Sequence, residues 1–144
     1  MTGITILVVT LVVATVVGLV LRSRSGRVRV TESHGSIDRR ALLLDAGAVP
    51  GAATVLHFSA EWCGPCAAVR RVVDQVIGGS TDGGTPPSGP RELEVDIDAH
   101  PMLAKEMGVL SLPTTFVLDA ELVERARISG VPKADALRSA LENL

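Results

Sequence analysis

Hydrophobic and polar positions divide this chain into two unlike parts. Residues Ile4 to Leu21 run for 18 positions without a charge, a proline, an asparagine or a glutamine. At about 1.5 Å per residue, such a run reaches across a bilayer core with little tilt. A buried helix of a soluble domain usually carries a polar face, and a core strand is far shorter, so a membrane-spanning helix is expected. A cleaved signal peptide needs a basic start, which Met1-Thr2-Gly3 does not supply. No small-x-small cleavage site follows the run, because Arg22 comes directly after Leu21. The expectation is a retained anchor over residues 1–22 and a basic juxtamembrane linker over 23–29.

Beyond the linker the pattern changes to short alternating and helical stretches. Arg27 to Thr31 alternates with period two and predicts a brief strand. Ser36-Ile37-Asp38 is placed to cap a helix carrying Ala41, Leu42, Leu43 and Leu44, with a stop near Gly47 and Pro50. Thr54 to Ser59 suits a central buried strand. Val69, Val72, Val73 and Val76 then form one apolar stripe on a helix over Ala67 to Ile77. Gly78 to Pro90 is nearly all turn formers and predicts an exposed loop.

Leu93 to Ile97 alternates as a strand, and Pro101 to Met107 fits a short helix ending at Gly108. Thr114–Leu118 and Leu122–Ile128 predict an antiparallel pair, although Asp119-Ala120-Glu121 between them lacks the glycine that tight turns prefer. Pro132 to Leu144 closes as an amphipathic helix with Ala136, Leu137, Ala140 and Leu141 inward. Strands and helices alternate first, then a hairpin and a terminal helix follow. The order predicts an α/β fold, a central mixed sheet covered by helices on both faces, over residues 30–144.

Charge adds orientation and removes one class of function. Arg22, Arg24, Arg27 and Arg29 crowd the C-terminal flank of the apolar run, and the other flank has no basic side chain. Flanking Lys and Arg tend to stay cytoplasmic, which places the rest of the chain in the cytoplasm. The same arginines also form a solvated patch suited to lipid headgroups. A net charge of −2, with Phe58, Trp62 and Phe116 the only aromatics, gives no footprint for nucleic acid.

The chemistry is concentrated in Trp62-Cys63-Gly64-Pro65-Cys66, which holds both cysteines of the 144 residues. With no third cysteine, the pair belongs to no larger disulfide framework, and a cycling redox pair leads. A structural zinc wants four ligands, and His34, His57 and His100 form no second pair of suitable spacing. A strand running into Cys63 and a helix starting near Cys66 set the first sulfur at a helix N-terminus. Unpaired N–H groups and the helix dipole there favour a thiolate, lowering the thiol from about 8.5 towards neutrality. Gly64 permits the tight turn, and Pro65 opens a helix without losing a needed hydrogen bond. Cys63 is then the nucleophile on a substrate disulfide, and Cys66, deeper in the helix, resolves the mixed disulfide.

These residues resemble the thioredoxin family. The likeness lies in Phe58-Ser59-Ala60-Glu61-Trp62-Cys63-Gly64-Pro65-Cys66, in Val95-Asp96-Ile97-Asp98 with Pro101 soon after, and in Val109 to Phe116. It covers residues 30 to 144 and implies the thioredoxin fold behind the transmembrane helix. Cys-Gly-Pro-Cys is similar to the tetrad of reducing thioredoxins, near −270 mV, which implies reduction of protein disulfides. The resemblance implies a cis Leu112–Pro113 bond, with Pro113 against the disulfide and the Leu112 backbone pairing with an extended substrate segment. A proline merely opening a strand is the plainer alternative. Trp62, Gly64 and Pro65 would form the rim of the sulfur site. No cofactor and no metal are implied; the partners implied are disulfide-bearing protein substrates and a reductase or membrane electron donor.

Three departures stand out. His57 occupies the place of a buried aspartate, and Glu94 that of its lysine partner. His57, supported by Glu94, is a candidate proton acceptor for Cys66, since an imidazole titrates near 6.5; a tolerated polar core residue is the alternative. Ser59 stands where a further tryptophan is common, and should alter the surface near the site. The loop 78–90 is longer than usual, a tolerated insertion or a partner contact. The leading function is a membrane-anchored thiol–disulfide oxidoreductase on the cytoplasmic face. Its alternatives are an outward-facing reductant, for instance of apocytochrome thiols, and a non-catalytic binding module of the same fold.

Overall fold

A computed structural model describes the backbone of residues 2–24, 28–30, 37–78 and 89–144, with side chains at 6–18 and from 39 onward within that set. The elements run α1 (Thr2–Arg24), β1 (Val28–Val30), α2 (Ile37–Asp45), β2 (Thr54–Ser59), α3 (Cys66–Ile77), β3 (Arg91–Asp96), α4 (Pro101–Glu106), β4 (Thr114–Leu118), β5 (Glu124–Ser129) and α5 (Ala134–Glu142). Cap residue Ser36, linker residues 25–27 and most of the turn-rich loop, 79–88, lie outside the described residues.

The strands form a mixed sheet in the order β1-β5-β4-β2-β3. β2 and β3 are parallel, and β2–β4, β4–β5 and β1–β5 are antiparallel. β2 sits inside the sheet, so all six of its residues are buried, as a strand flanked on both edges and covered on both faces requires.

Alternation along the strands sorts their side chains into two cores. Leu56, Phe58, Phe116 and Leu118 pack with Leu43 of α2 and Leu103 and Ala104 of α4. The Phe58 and Phe116 rings meet edge to face at 5.9 Å, a favoured aromatic geometry. On the other face Val55, Val117, Ala126 and Ile128 pack with Val69 and Val73 of α3 and Leu137 of α5. Gly47 and Gly108, two residues past the ends of α2 and α4, have positive φ (98° and 63°), the conformation glycine adopts without a Cβ clash.

The hairpin between β4 and β5 differs from expectation. Its left-handed residue is Leu122, at φ 64°. The Asp119 carboxylate accepts the N–H groups of Glu121 and Val123, at 3.0 and 2.9 Å, which holds the turn without glycine. β5 therefore begins at Glu124 rather than Leu122. A bulge then sets Leu118 opposite Glu124 while Val117 faces Ala126, leaving Arg125 as the extra residue.

Helix α1 reaches Arg24, beyond the expected end of the anchor at 22. Its described apolar side chains, from Ile6 to Val17, are exposed. Among the described residues no helix is long and apolar enough to cross a membrane; the run Ile4–Leu21 continues past the described side chains, which stop at 18.

Candidate active site

Strand β2 delivers the chain to the cysteine motif through a tight turn. The Cys63 N–H donates to the Ala60 carbonyl at 3.0 Å, and the Cys66 N–H to the Cys63 carbonyl at 3.2 Å. Pro65 precedes the first residue of α3 with φ −66°, its natural value, and no side chain caps that helix. The positive end of the α3 dipole is thus left uncompensated beside the position where a Cys63 thiolate would form.

Cys63 and Cys66 are joined in a disulfide, with Sγ–Sγ 2.02 Å and Cα–Cα 5.5 Å. Cys63 is half-buried, whereas Cys66 is buried with its sulfur 3.9 Å from the Phe58 carbonyl. That asymmetry lets an external sulfur reach Cys63 and keeps Cys66 for the internal step. Trp62 is 71% exposed on the rim, and its indole N–H donates to Asp98 at 3.2 Å. Gly64 and Pro65 complete the exposed turn.

The Leu112–Pro113 peptide bond is cis, as the resemblance implies. Leu112 is half-buried and Pro113 buried; the Pro113 carbonyl accepts the Gly130 N–H at 2.8 Å, tying the segment to the end of β5. Leu110, two residues earlier, is almost wholly exposed.

Behind the motif the structure corrects one expected pairing. His57 is fully buried, but its Nε2 lies 2.8 Å from Glu92, not Glu94. Glu94 is the register partner of His57, yet the Arg70 guanidinium takes both of its oxygens at 2.7–2.9 Å. The Arg70 hydrogen bond pulls the Glu94 carboxyl from 4.5 down to about 2; burial opposes this, while a Ser59 hydrogen bond and the Arg70 charge assist. Arg70 is correspondingly raised, chiefly by the same hydrogen bond. Ser59 is buried, so it does not shape the surface as expected.

Glu92, Arg70 and Asp98 are the residues that the sequence reading missed. Arg70 follows Cys66 by one helical turn, and Glu92 shares a strand face with Glu94; these spacings were the available signals. Among the described residues, no group of three His, Cys, Asp or Glu side chains could hold a metal.

A mixed sheet presenting a Cys-x-x-Cys disulfide at a strand–helix junction, with a cis-proline segment in the same domain, defines a thiol–disulfide oxidoreductase. The model of the family described as Thioredoxin matches residues 48–143. The thioredoxin of Streptomyces clavuligerus is 34% identical over 85 residues, 58% of this chain and 72% of that protein. That of Mycolicibacterium smegmatis is 30% identical over 84 residues, 58% and 71% of the two. Among solved structures, oxidised mitochondrial thioredoxin 3 from Saccharomyces cerevisiae superposes with a TM-score of 0.51 at 27% identity, covering 64% of this chain and 78% of that one. The chain belongs to the thioredoxin family.

Proposed function

We propose that this protein is a membrane-tethered reductant of protein disulfides, acting through a Cys63/Cys66 dithiol–disulfide cycle. The observation that carries the chemistry is the disulfide itself, with Cys63 half-buried and Cys66 buried. Reduced Cys63 attacks a substrate disulfide, one substrate sulfur leaves as a thiol, and Cys66 displaces the other while closing on Cys63. The Leu112 backbone pairs with the extended substrate segment beside Pro113, and Trp62, Gly64 and Pro65 form the rim. His57 takes the Cys66 proton. Two electrons pass to the substrate, and a reductase restores the dithiol.

The tether is α1. Its apolar run, Ile4–Leu21, is 18 residues or about 27 Å long, close to a hydrocarbon core of about 30 Å. A helix that is apolar all round and uncovered by the domain has lipid as its natural surrounding. The arrangement is an anchor within α1, which runs to Arg24, and a thioredoxin-like domain whose first strand begins at Val28, inside the linker expected over 23–29. The four arginines behind the run favour a cytoplasmic domain.

Two measurements test this reading. A Cys66→Ser variant should accumulate mixed disulfides with substrate proteins and lose multiple-turnover reduction, whereas Cys63→Ser should form none. Activity surviving in both would sink the catalytic reading. Labelling intact cells, after mild reduction, with a membrane-impermeant thiol reagent should modify the protein only after lysis. Labelling before lysis would place the domain outside, because Cys63 and Cys66 are its only thiols.

A further inference from the structure

Residues 55, 57 and 59 of β2 point to one side of the sheet, the side on which Val55 packs against Val69 and Val73 of α3. His57 therefore lies beneath the helix that begins with Cys66, fully buried. On that side its neighbours across the strands are Glu92 and Glu94 from β3 and Thr115, its register partner, from β4, while α3 turns its buried face, which begins with Cys66, toward the sheet and sends Arg70 to Glu94. Arg70 occupies Glu94, which leaves Glu92 as the carboxylate free to meet the imidazole.

That contact decides which nitrogen carries the hydrogen. An ionised carboxylate only accepts, so at 2.8 Å from Glu92 the Nε2 atom must be the donor. In the neutral ring Nδ1 is then a bare lone pair. Nδ1 is buried and has no hydrogen-bond partner among the described residues, and the same holds for the Thr115 hydroxyl on the paired strand. Leaving a buried polar atom unpaired costs about 1–3 kcal/mol, which makes this a poor way to fill a core and a suitable way to keep an acceptor free.

We propose that Glu92 is a positioning residue for His57, holding the imidazole as the Nε2–H tautomer so that Nδ1 receives the proton Cys66 loses during resolution. The inference rests on the reading of His57 as the proton acceptor. In the step, the Cys66 S–H bond breaks and its proton goes to Nδ1. The Cys66 sulfur bonds to Cys63, the bond from Cys63 to the substrate sulfur breaks, and that sulfur leaves with the electron pair and is protonated from solvent. Loss of a carboxylate that orients a histidine typically costs 10- to 100-fold where such pairs serve other reactions, so about tenfold is expected for Glu92→Gln.

The test uses the full chain in detergent, with the mixed disulfide between Cys63 and a chromophoric aromatic thiol. Release of the thiol is followed by stopped flow from pH 5 to 9 in wild type, Glu92→Gln and His57→Gln. The expected result is resolution slowed about tenfold in Glu92→Gln and at least as much in His57→Gln, with altered pH profiles. Formation of the mixed disulfide by Cys63 should be unchanged. Imidazole ¹⁵N shifts should show an unprotonated Nδ1 in wild type and loss of that preference in Glu92→Gln. If only His57→Gln is slow, Glu92 has no such role, while the acceptor reading of His57 survives. If both variants resolve at the wild-type rate, both ideas fail. If only Glu92→Gln is slow, Glu92 does not act through His57, and the proposal falls. If His57→Gln does not fold, the ¹⁵N signature decides, and an Nδ1–H tautomer in wild type overturns the proposal.

Discussion

Arg127 lies over the ring of Phe116 on the neighbouring strand, its guanidinium carbon 4.7 Å from the ring centroid. The same guanidinium donates to the carbonyls of Met107 and Gly108, at 2.6 and 3.2 Å, where α4 ends. It also binds both oxygens of Glu124, a carboxylate only 1% exposed that the β5 bulge turns toward it. Arg39 of α2 approaches Glu124 from another side, at 3.6 Å. One ion cluster thus joins α2, the end of α4 and β5.

The buried charge sets the consequence of breaking that cluster. Arg127→Met leaves Glu124 without its closest counter-charge and frees the Met107 and Gly108 carbonyls just beyond α4, a loss of about 3 kcal/mol, the low end for a broken buried pair because Arg39 still faces the carboxylate. Replacing Glu124 by leucine in the same chain removes the stranded carboxylate and should restore much of the loss. Urea unfolding of the single and double variants measures both. Additive losses would show that Glu124 and Arg127 do not act together.

The Arg70–Glu94 pair should show itself in acid. Glu94 has its pKa lowered from 4.5 to about 2 in the folded protein, mainly by the Arg70 hydrogen bond. A group depressed by folding stabilises the native state above its unfolded pKa. That stability fades as pH falls from about 4.5 to about 2. The pair is exposed enough for solvent to screen it, so its contribution near neutrality is about 0.5–1 kcal/mol. Glu94→Gln should therefore be less stable than wild type at pH 7 and equal to it near pH 2. A constant gap across that range would refute the assignment.

Much of this arrangement is legible in the residues themselves. Thr54–Ser59 opens with the β-branched Thr54 and Val55 and carries no charged carboxylate or lysine, as suits a strand covered on both faces and both edges, and its predicted bounds match the observed strand. The valine stripe at 69, 72, 73 and 76 marks the face of α3 that packs on the sheet. Side-chain partners across strands are harder. Register alone pairs His57 with Glu94, but a lateral claim by Arg70 decides which carboxylate remains for the histidine. Leu122 carries no sign of its left-handed backbone, because the Asp119 carboxylate that holds it acts through local hydrogen bonds rather than a turn dipeptide. The Trp62–Asp98 bond joins two loops whose approach depends on the finished sheet.

Leu110 offers a test of how substrates are met. It is 97% exposed, on the segment between α4 and the cis bond, and none of the described residues shelters it. Leu110→Glu should change stability by less than about 0.5 kcal/mol, as exposed substitutions do. A protein substrate lying along Leu112 would cover this side chain, and burying a leucine contributes about 1.5–3 kcal/mol. The variant should then reduce protein disulfides with a KM raised about tenfold and kcat little changed, since 1.4 kcal/mol is one decade. A small aromatic disulfide reaches Cys63 without spanning the segment, so its rate should stay at the wild-type value. Equal losses on both substrates would mean that Leu110 acts on the sulfur chemistry itself, and unchanged rates on both would remove it from the substrate path.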